Sequence, residues 1–173
     1  AAIWARHTQV ASHPLKRAYF REQWRRMRAF EAAECRRFDH VVAVSAEDEE
    51  TFRREYGVRS VSNVPTGVDT EYFSPSRQRA PRPNSLVFTG SMDWLPNEDA
   101  VQFFARDVLP LVREQVPDVT LTVVGRSPPP HIRALASDAS GIRVTGSVPD
   151  VRPHLEDAAV FVVPIRIGGG TRL

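Results

Sequence analysis

Arg166 stands just ahead of Gly168, Gly169, Gly170 and Thr171, and the group follows an apolar run, Val160 to Val163. Glycines after a buried strand let the main chain approach a ligand closely, because no Cβ intervenes. A helix starting near Thr171 would aim free N–H groups and its dipole at the same place, which suits a phosphate. Arg166 adds a permanent, forked positive charge of matching geometry. The same stretch would equally serve as a flexible loop carrying a solvated arginine. It is not a P-loop, since no Gly-Lys-Ser/Thr occurs, and no Gly-x-Gly-x-x-Gly marks a dinucleotide cofactor.

Other chemistries lack their residues. There is no Asp-x-Asp, no His-Glu-x-x-His and no paired histidines, so no protein-held metal is expected. His7, His13, His40, His131 and His154 are scattered, and no Gly-x-Ser-x-Gly elbow supports a hydrolase. Trp94, in the loop after an apolar strand, could stack on a ligand or cover the core.

The elements that would position these residues follow from periodicity. Leu15 to Phe38 reads as a long amphipathic helix, with Phe20, Trp24 and Met27 on one face and Arg17, Arg21, Arg25 and Arg28 on another. His40 to Val44 reads as a short buried strand. Ser45 caps a helix rich in acid in its first turn, which runs to about Tyr56 before Gly57. A strand over Ser60 to Val64 stops at Pro65, and the proline-rich stretch that follows reads as a hinge. Strands at Leu86–Thr89, Val119–Val124, Ile142–Thr145 and Val160–Val163 then alternate with helices at Asn97–Gln115, Pro129–Ser137 and Pro149–Asp157. The spacing predicts that Val101, Phe104, Val108, Leu111 and Val112 form the buried stripe of the longest of these helices. Nearly all-apolar strands alternating with helices imply an α/β fold with a parallel sheet covered on both faces. Each strand leads into glycine, at Gly90, Gly125, Gly146 and then the Gly168–Gly170 run, and that edge is where ligands bind in such sheets.

The 173 residues allow one domain, or one and a portion of another. A hydrophobic fraction of 42% and a charged fraction of 25% exclude a disordered or fibrous chain. One cysteine, Cys35, excludes an internal disulfide and fits a reducing, cytoplasmic compartment. The longest apolar run, Ala158 to Ile165, is far short of a bilayer span of about 20 residues. The net charge of +2 conceals an asymmetry: Ala1 to Phe38 carries nine basic and three acidic residues. That basic helix could lie on anionic lipid at the inner face of the membrane or dock a partner, or it could be a solvated face packed on its own domain. No recognisable module surrounds the arginines, so nucleic acid is not an expected partner.

The segments Val64–Phe73, Phe88–Asn97, Val124–Gly125, Thr145–Asp150 and Val163–Leu173, in that order and spacing, resemble the nucleotide-sugar-binding half of GT-B glycosyltransferases of the GT4-like group. The resemblance covers residues 40 to 173. It implies a Rossmann-like sheet within a two-domain GT-B fold: residues 1–64 as the end of an acceptor-side domain, 65–84 as the hinge, and 85–173 as an incomplete donor domain. It implies a retaining, metal-independent transfer of sugar from a nucleotide-sugar donor to a sugar, glycan or lipid-linked acceptor, in glycan or polysaccharide biosynthesis. No cofactor is expected beyond the donor substrate. Gly90 and Ser91 would lie beside the donor phosphates, Gly146, Ser147 and Val148 beside the base, and Arg166 with Gly168, Gly169, Gly170 and Thr171 beside the diphosphate and sugar, with Asn97 and Gly125 as further donor-binding residues. Arg166 would stabilise the leaving diphosphate. Alternatives are a membrane-surface or interaction module built on helix 15–38, and a non-catalytic nucleotide-binding domain.

The sequence also departs from the family pattern. Where many members carry an arginine and a lysine after the first donor-domain strand, residues 92–96 hold no base. Glycine, near Gly169, stands where the first of two family glutamates would fall, and Thr66 replaces a common hinge asparagine. The 173 residues alone are accordingly expected to transfer no sugar, and to self-associate through apolar faces that have lost their partners.

Overall fold

The computed structural model describes residues 1–75 and 80–167. Two compact units are built from Ala1–Thr70 and from Glu71–Arg166. In the first, α1 (Ala2–Val10) packs on α2 (Pro14–Cys35), and β1 (Val41–Ala43) pairs in parallel with β2 (Val61–Asn63), joined by α3 (Ala46–Arg54). Sequence periodicity does not reveal α1. It is held by tertiary contact, with Trp4 and His7 ring centroids 6.0 and 5.1 Å from that of Phe20 on α2. Ser45 caps α3 as expected, its Oγ accepting the Asp48 N–H at 3.1 Å. Acidic residues fill the first turn and Arg53 and Arg54 the last, so both ends suit the helix dipole. Ala43, Tyr56, Val58 and Val61 form a small core, and the Tyr56 hydroxyl donates to Glu31 Oε2 at 2.8 Å.

The second unit holds β3 (Arg82–Thr89), β4 (Thr120–Val124), β5 (Ile142–Gly146) and β6 (Ala158–Phe161) in one parallel sheet of order β5-β4-β3-β6. With the right-handed crossovers that parallel strands obey, the order β5-β4-β3-β6 puts the connections to β4 and β5 on one face and the connection to β6 on the other, so helices cover both faces. The winding direction reverses at β3, and its carboxyl end is therefore the topological switch point. β3 begins earlier than its apolar run suggests, at Arg82. The buried Ser85 accounts for this: its hydroxyl lies 2.6 Å from the Arg82 carbonyl and accepts the Ala159 N–H at 3.1 Å, filling the register shift between β3 and β6.

The helix expected over Asn97–Gln115 is instead α4 (Leu95–Phe103), one wide π turn over Phe104–Val108, and α5 (Leu109–Gln115). The Leu109 N–H bonds back to the Phe104 carbonyl, five residues away. Pro110 explains the widening, since in a regular helix its ring would press on the Arg106 carbonyl and leave it without a donor. The extra residue turns the following helix by about 100°. Leu109 is consequently fully buried and Leu111 is 61% exposed, so the expected stripe is corrected from Leu111 to Leu109.

Two further helices are shorter than expected. α6 (Pro130–Arg133) ends early because Ser137 forms an antiparallel bridge with Ile142, its N–H donating to the Ser140 hydroxyl at 3.0 Å. α7 (Arg152–Glu156) starts late because the Asp150 carboxylate accepts the Arg152 N–H at 2.9 Å, holding 149–151 outside the helix. No described helix is long and apolar enough to cross a membrane.

The π turn makes the two leucines distinguishable. Leu109→Ala should cost about 2–5 kcal/mol in urea unfolding, and Leu111→Ala no more than about 0.5 kcal/mol. Equal losses would mean the helix runs on without the wide turn.

Candidate functional site

The carboxyl ends of β3, β4 and β5 bring Gly90, Gly125 and Gly146 to one edge of the sheet. Gly125 has no room for a side chain: a Cβ there would lie 1.7 Å from the Gly90 carbonyl oxygen. Gly146 turns with φ +73°, a conformation costly to any residue with a Cβ. Main-chain bonds lock the three loops together. The Gly90 N–H donates to the Val124 carbonyl at 3.0 Å, the Gly125 N–H to Gly146 at 3.2 Å, and the Met92 N–H to Arg126 at 2.9 Å. The buried Asn97 of α4 donates from Nδ2 to the Ser91 carbonyl at 2.8 Å, fixing the loop after β3 from beneath.

Between these loops lies an open cleft of about 520 Å³, lined by Gly90, Ser91, Gly125, Arg126, Ser147 and Val148 among others. The structure thus gathers Gly90, Ser91, Gly125, Ser147 and Val148 around one space, with Gly146 supplying the turn and Asn97 the support. Arg126 is the one cation among the described lining residues, and sequence reasoning passed over it. The available signal was a basic residue directly after a strand-terminal glycine. Its Nε donates to Ser91 Oγ at 2.7 Å, and the Ser91 hydroxyl lies 2.5 Å from Asp93 Oδ1. The hydrogen bond from Ser91, and after it the charge of Arg126, hold the Asp93 carboxyl below the usual carboxylate range.

Arg166 is placed differently. Its guanidinium donates to both carboxylate oxygens of Asp99, Nε to Oδ2 at 3.0 Å and a terminal nitrogen to Oδ1 at 2.6 Å. It also stacks 4.3 Å from the Phe103 ring centroid. Asp99 keeps it firmly charged. Arg166 therefore clamps the segment after β6 to α4 and does not line the cleft. Gly168, Gly169, Gly170 and Thr171 lie outside the described residues. Trp94 is 47% exposed at the start of α4, neither buried in the core nor in the cleft. No group of three or more His, Cys, Asp or Glu side chains that could hold a metal occurs among the described residues.

Comparison with known proteins bears on this arrangement. The family model for glycosyl transferases group 1 matches residues 83–173, more than half of the chain. The chain belongs to the glycosyl transferases group 1. A second model, Glycosyltransferase Family 4, matches residues 1–72. Among solved structures, TarM is similar at a TM-score of 0.60 and 12% identity, over 77% of this chain and 26% of that one. A point mutant of S. aureus TarM, solved in complex with Fondaparinux, alpha-GlcNAc-glycerol and UDP, gives a TM-score of 0.59 at 12% identity over the same shares. At that identity the likeness shows the fold, and this group 1 chain spans about a quarter of the TarM chain. No curated protein matches it.

Gly125 and Gly146 should fail differently in this group 1 chain. Gly146→Ala meets nothing within 4 Å and carries only its backbone strain, about 1–2 kcal/mol. Gly125→Ala must push the Gly90 and Gly125 loops apart, and should lower stability further in urea unfolding while shifting the amide resonances of Gly90 and Ser91. Equal, small losses would show that the loops are not in contact.

Proposed function

We propose that the chain is the donor-side portion of a glycosyltransferase that moves a sugar from a nucleotide-sugar to an acceptor hydroxyl. The observation that carries this reading is the cleft at the carboxyl edge of β3, β4 and β5, lined by main chain at Gly90–Ser91, Gly125 and Ser147–Val148, in a chain of the glycosyl transferases group 1. A cleft at the topological switch point of a parallel sheet is where nucleotides bind in folds of this class, and its serine hydroxyls and Arg126 suit a nucleoside diphosphate better than an apolar ligand.

Transfer breaks the bond between the anomeric carbon and the diphosphate and forms one to the acceptor oxygen, whose proton must leave. The protein's task on the donor side is to hold the diphosphate and to stabilise its growing charge as it departs. We infer a retaining course without a bound metal, in line with the resemblance and with a sequence that contains no Asp-x-Asp. TarM, solved with UDP and alpha-GlcNAc-glycerol, supports a nucleotide-linked donor and a sugar-bearing acceptor as the substrate classes. A cytoplasmic setting, where nucleotide-sugars are made, completes the reading.

In the full-length protein, millimolar UDP, GDP or ADP should protect the amides of residues 90–91 and 146–148 from hydrogen exchange. The loop at 168–171 should be protected with them. Absence of protection by all three nucleotides would overturn the donor-site reading.

A further inference from the structure

Arg126 is bound along one edge only. Its Nε faces Ser91 Oγ at 2.7 Å and Asp93 Oδ2 at 3.4 Å, while its two terminal nitrogens have no hydrogen-bond partner among the described residues. The side chain is 68% exposed to the cleft side of the sheet edge and sits among Gly90, Ser91, Ser147 and Val148. Its main chain is fixed from both directions. The Met92 N–H holds the Arg126 carbonyl at 2.9 Å, and the next residue, Ser127, has φ +54°, a conformation that a non-glycine residue keeps only when its surroundings impose it.

A guanidinium with one edge held and the other free is a pre-aimed fork for a doubly charged oxyanion. Arg166 does not offer this, because Asp99 occupies its Nε and one terminal nitrogen. Asp93 adds a second feature. Its carboxylate is held charged by the Ser91 hydroxyl and lies against the guanidinium, so it both orients Arg126 and offsets some of the field an incoming anion would feel.

We propose that Arg126 is the residue that grips the diphosphate of the nucleotide donor, aimed by Ser91, and that Asp93 is a built-in competing anion that lowers the affinity of the site. The proposal rests on the glycosyl-transfer reading and assigns within it a binding residue and a positioning residue. An anion that binds must share Arg126 with Asp93. A donor site weakened in this way releases its diphosphate product more readily.

The test measures dissociation constants in the full-length protein for whichever of UDP, GDP and ADP binds most tightly, and for the matching nucleoside. Arg126→Gln should weaken the diphosphate by about 10–100-fold, the loss expected for a charge-assisted contact, and leave the nucleoside within about twofold. Arg126→Lys, which keeps the charge and loses the fork, should fall between. Asp93→Asn should tighten the diphosphate severalfold, a direction that simple damage to the fold cannot produce. Unchanged diphosphate affinity in Arg126→Gln, an equal loss for the nucleoside, or weaker binding in Asp93→Asn would each overturn the proposal. If the unmodified protein binds none of the three diphosphates at millimolar concentration, the donor-site reading fails, and the assignment fails with it.

Discussion

The Gly90 carbonyl occupies the space where a side chain on Gly125 would begin, and the arrangement of the second unit's binding edge depends on that contact. Because the two main chains touch, the loop after β3 and the loop after β4 cannot move independently. The pair of main-chain bonds from Gly90 to Val124 and from Met92 to Arg126 runs along the same seam. Asn97 then props the seam from below, using a buried amide whose donor is met by the Ser91 carbonyl. A rigid seam of main chain is what allows exposed side chains such as Ser91 and Arg126 to be held at hydrogen-bonding distance without being buried.

The two arginines near this edge show how identical chemistry can be put to different use. Arg166 is bidentate to Asp99 and stacked over Phe103, an arrangement that occupies one edge and one face of the guanidinium together. It ties the segment after β6 to α4. Arg126 has one short bond to a hydroxyl and a longer ionic contact, and so retains donors for a guest. The sequence favoured Arg166 because it precedes a glycine run. Only the tertiary placement of Asp99, 67 residues away, shows why it is occupied.

Much of the fold was legible from residue patterns, and the failures have separate physical causes. In the second unit β3, β4 and β5 announce themselves as largely apolar runs ending in glycine, and Ser45 with its acidic followers marks α3 by local electrostatics alone. By contrast, α1 is stabilised by rings on another helix, so no periodicity within Ala2–Val10 betrays it. The stripe of the long helix was misjudged because a proline changed the local number of residues per turn, which a fixed period cannot express. Of the expected site, the glycines were readable because main-chain proximity demands that residue type. Arg126 was not, because an exposed arginine next to a strand looks like any solvated one until Ser91 is seen beside it.

Ser85 carries a consequence for how the sheet comes together in time. β3, β4 and β5 are neighbours in the chain, and each joins its predecessor after closing only one crossover. β6 pairs with β3, and Ser85 bonds to Ala159 across 74 residues of sequence. During synthesis β3 therefore stands with one edge unpaired until nearly the whole unit has emerged, and the entropic cost of closing that long loop falls on the last strand. Placing a hydroxyl with three main-chain partners, the carbonyls of Arg82 and Asp157 and the N–H of Ala159, at the point of contact gives the late arrival a unique register, so that β6 has one position to settle into and the arginine beyond it one helix to clamp.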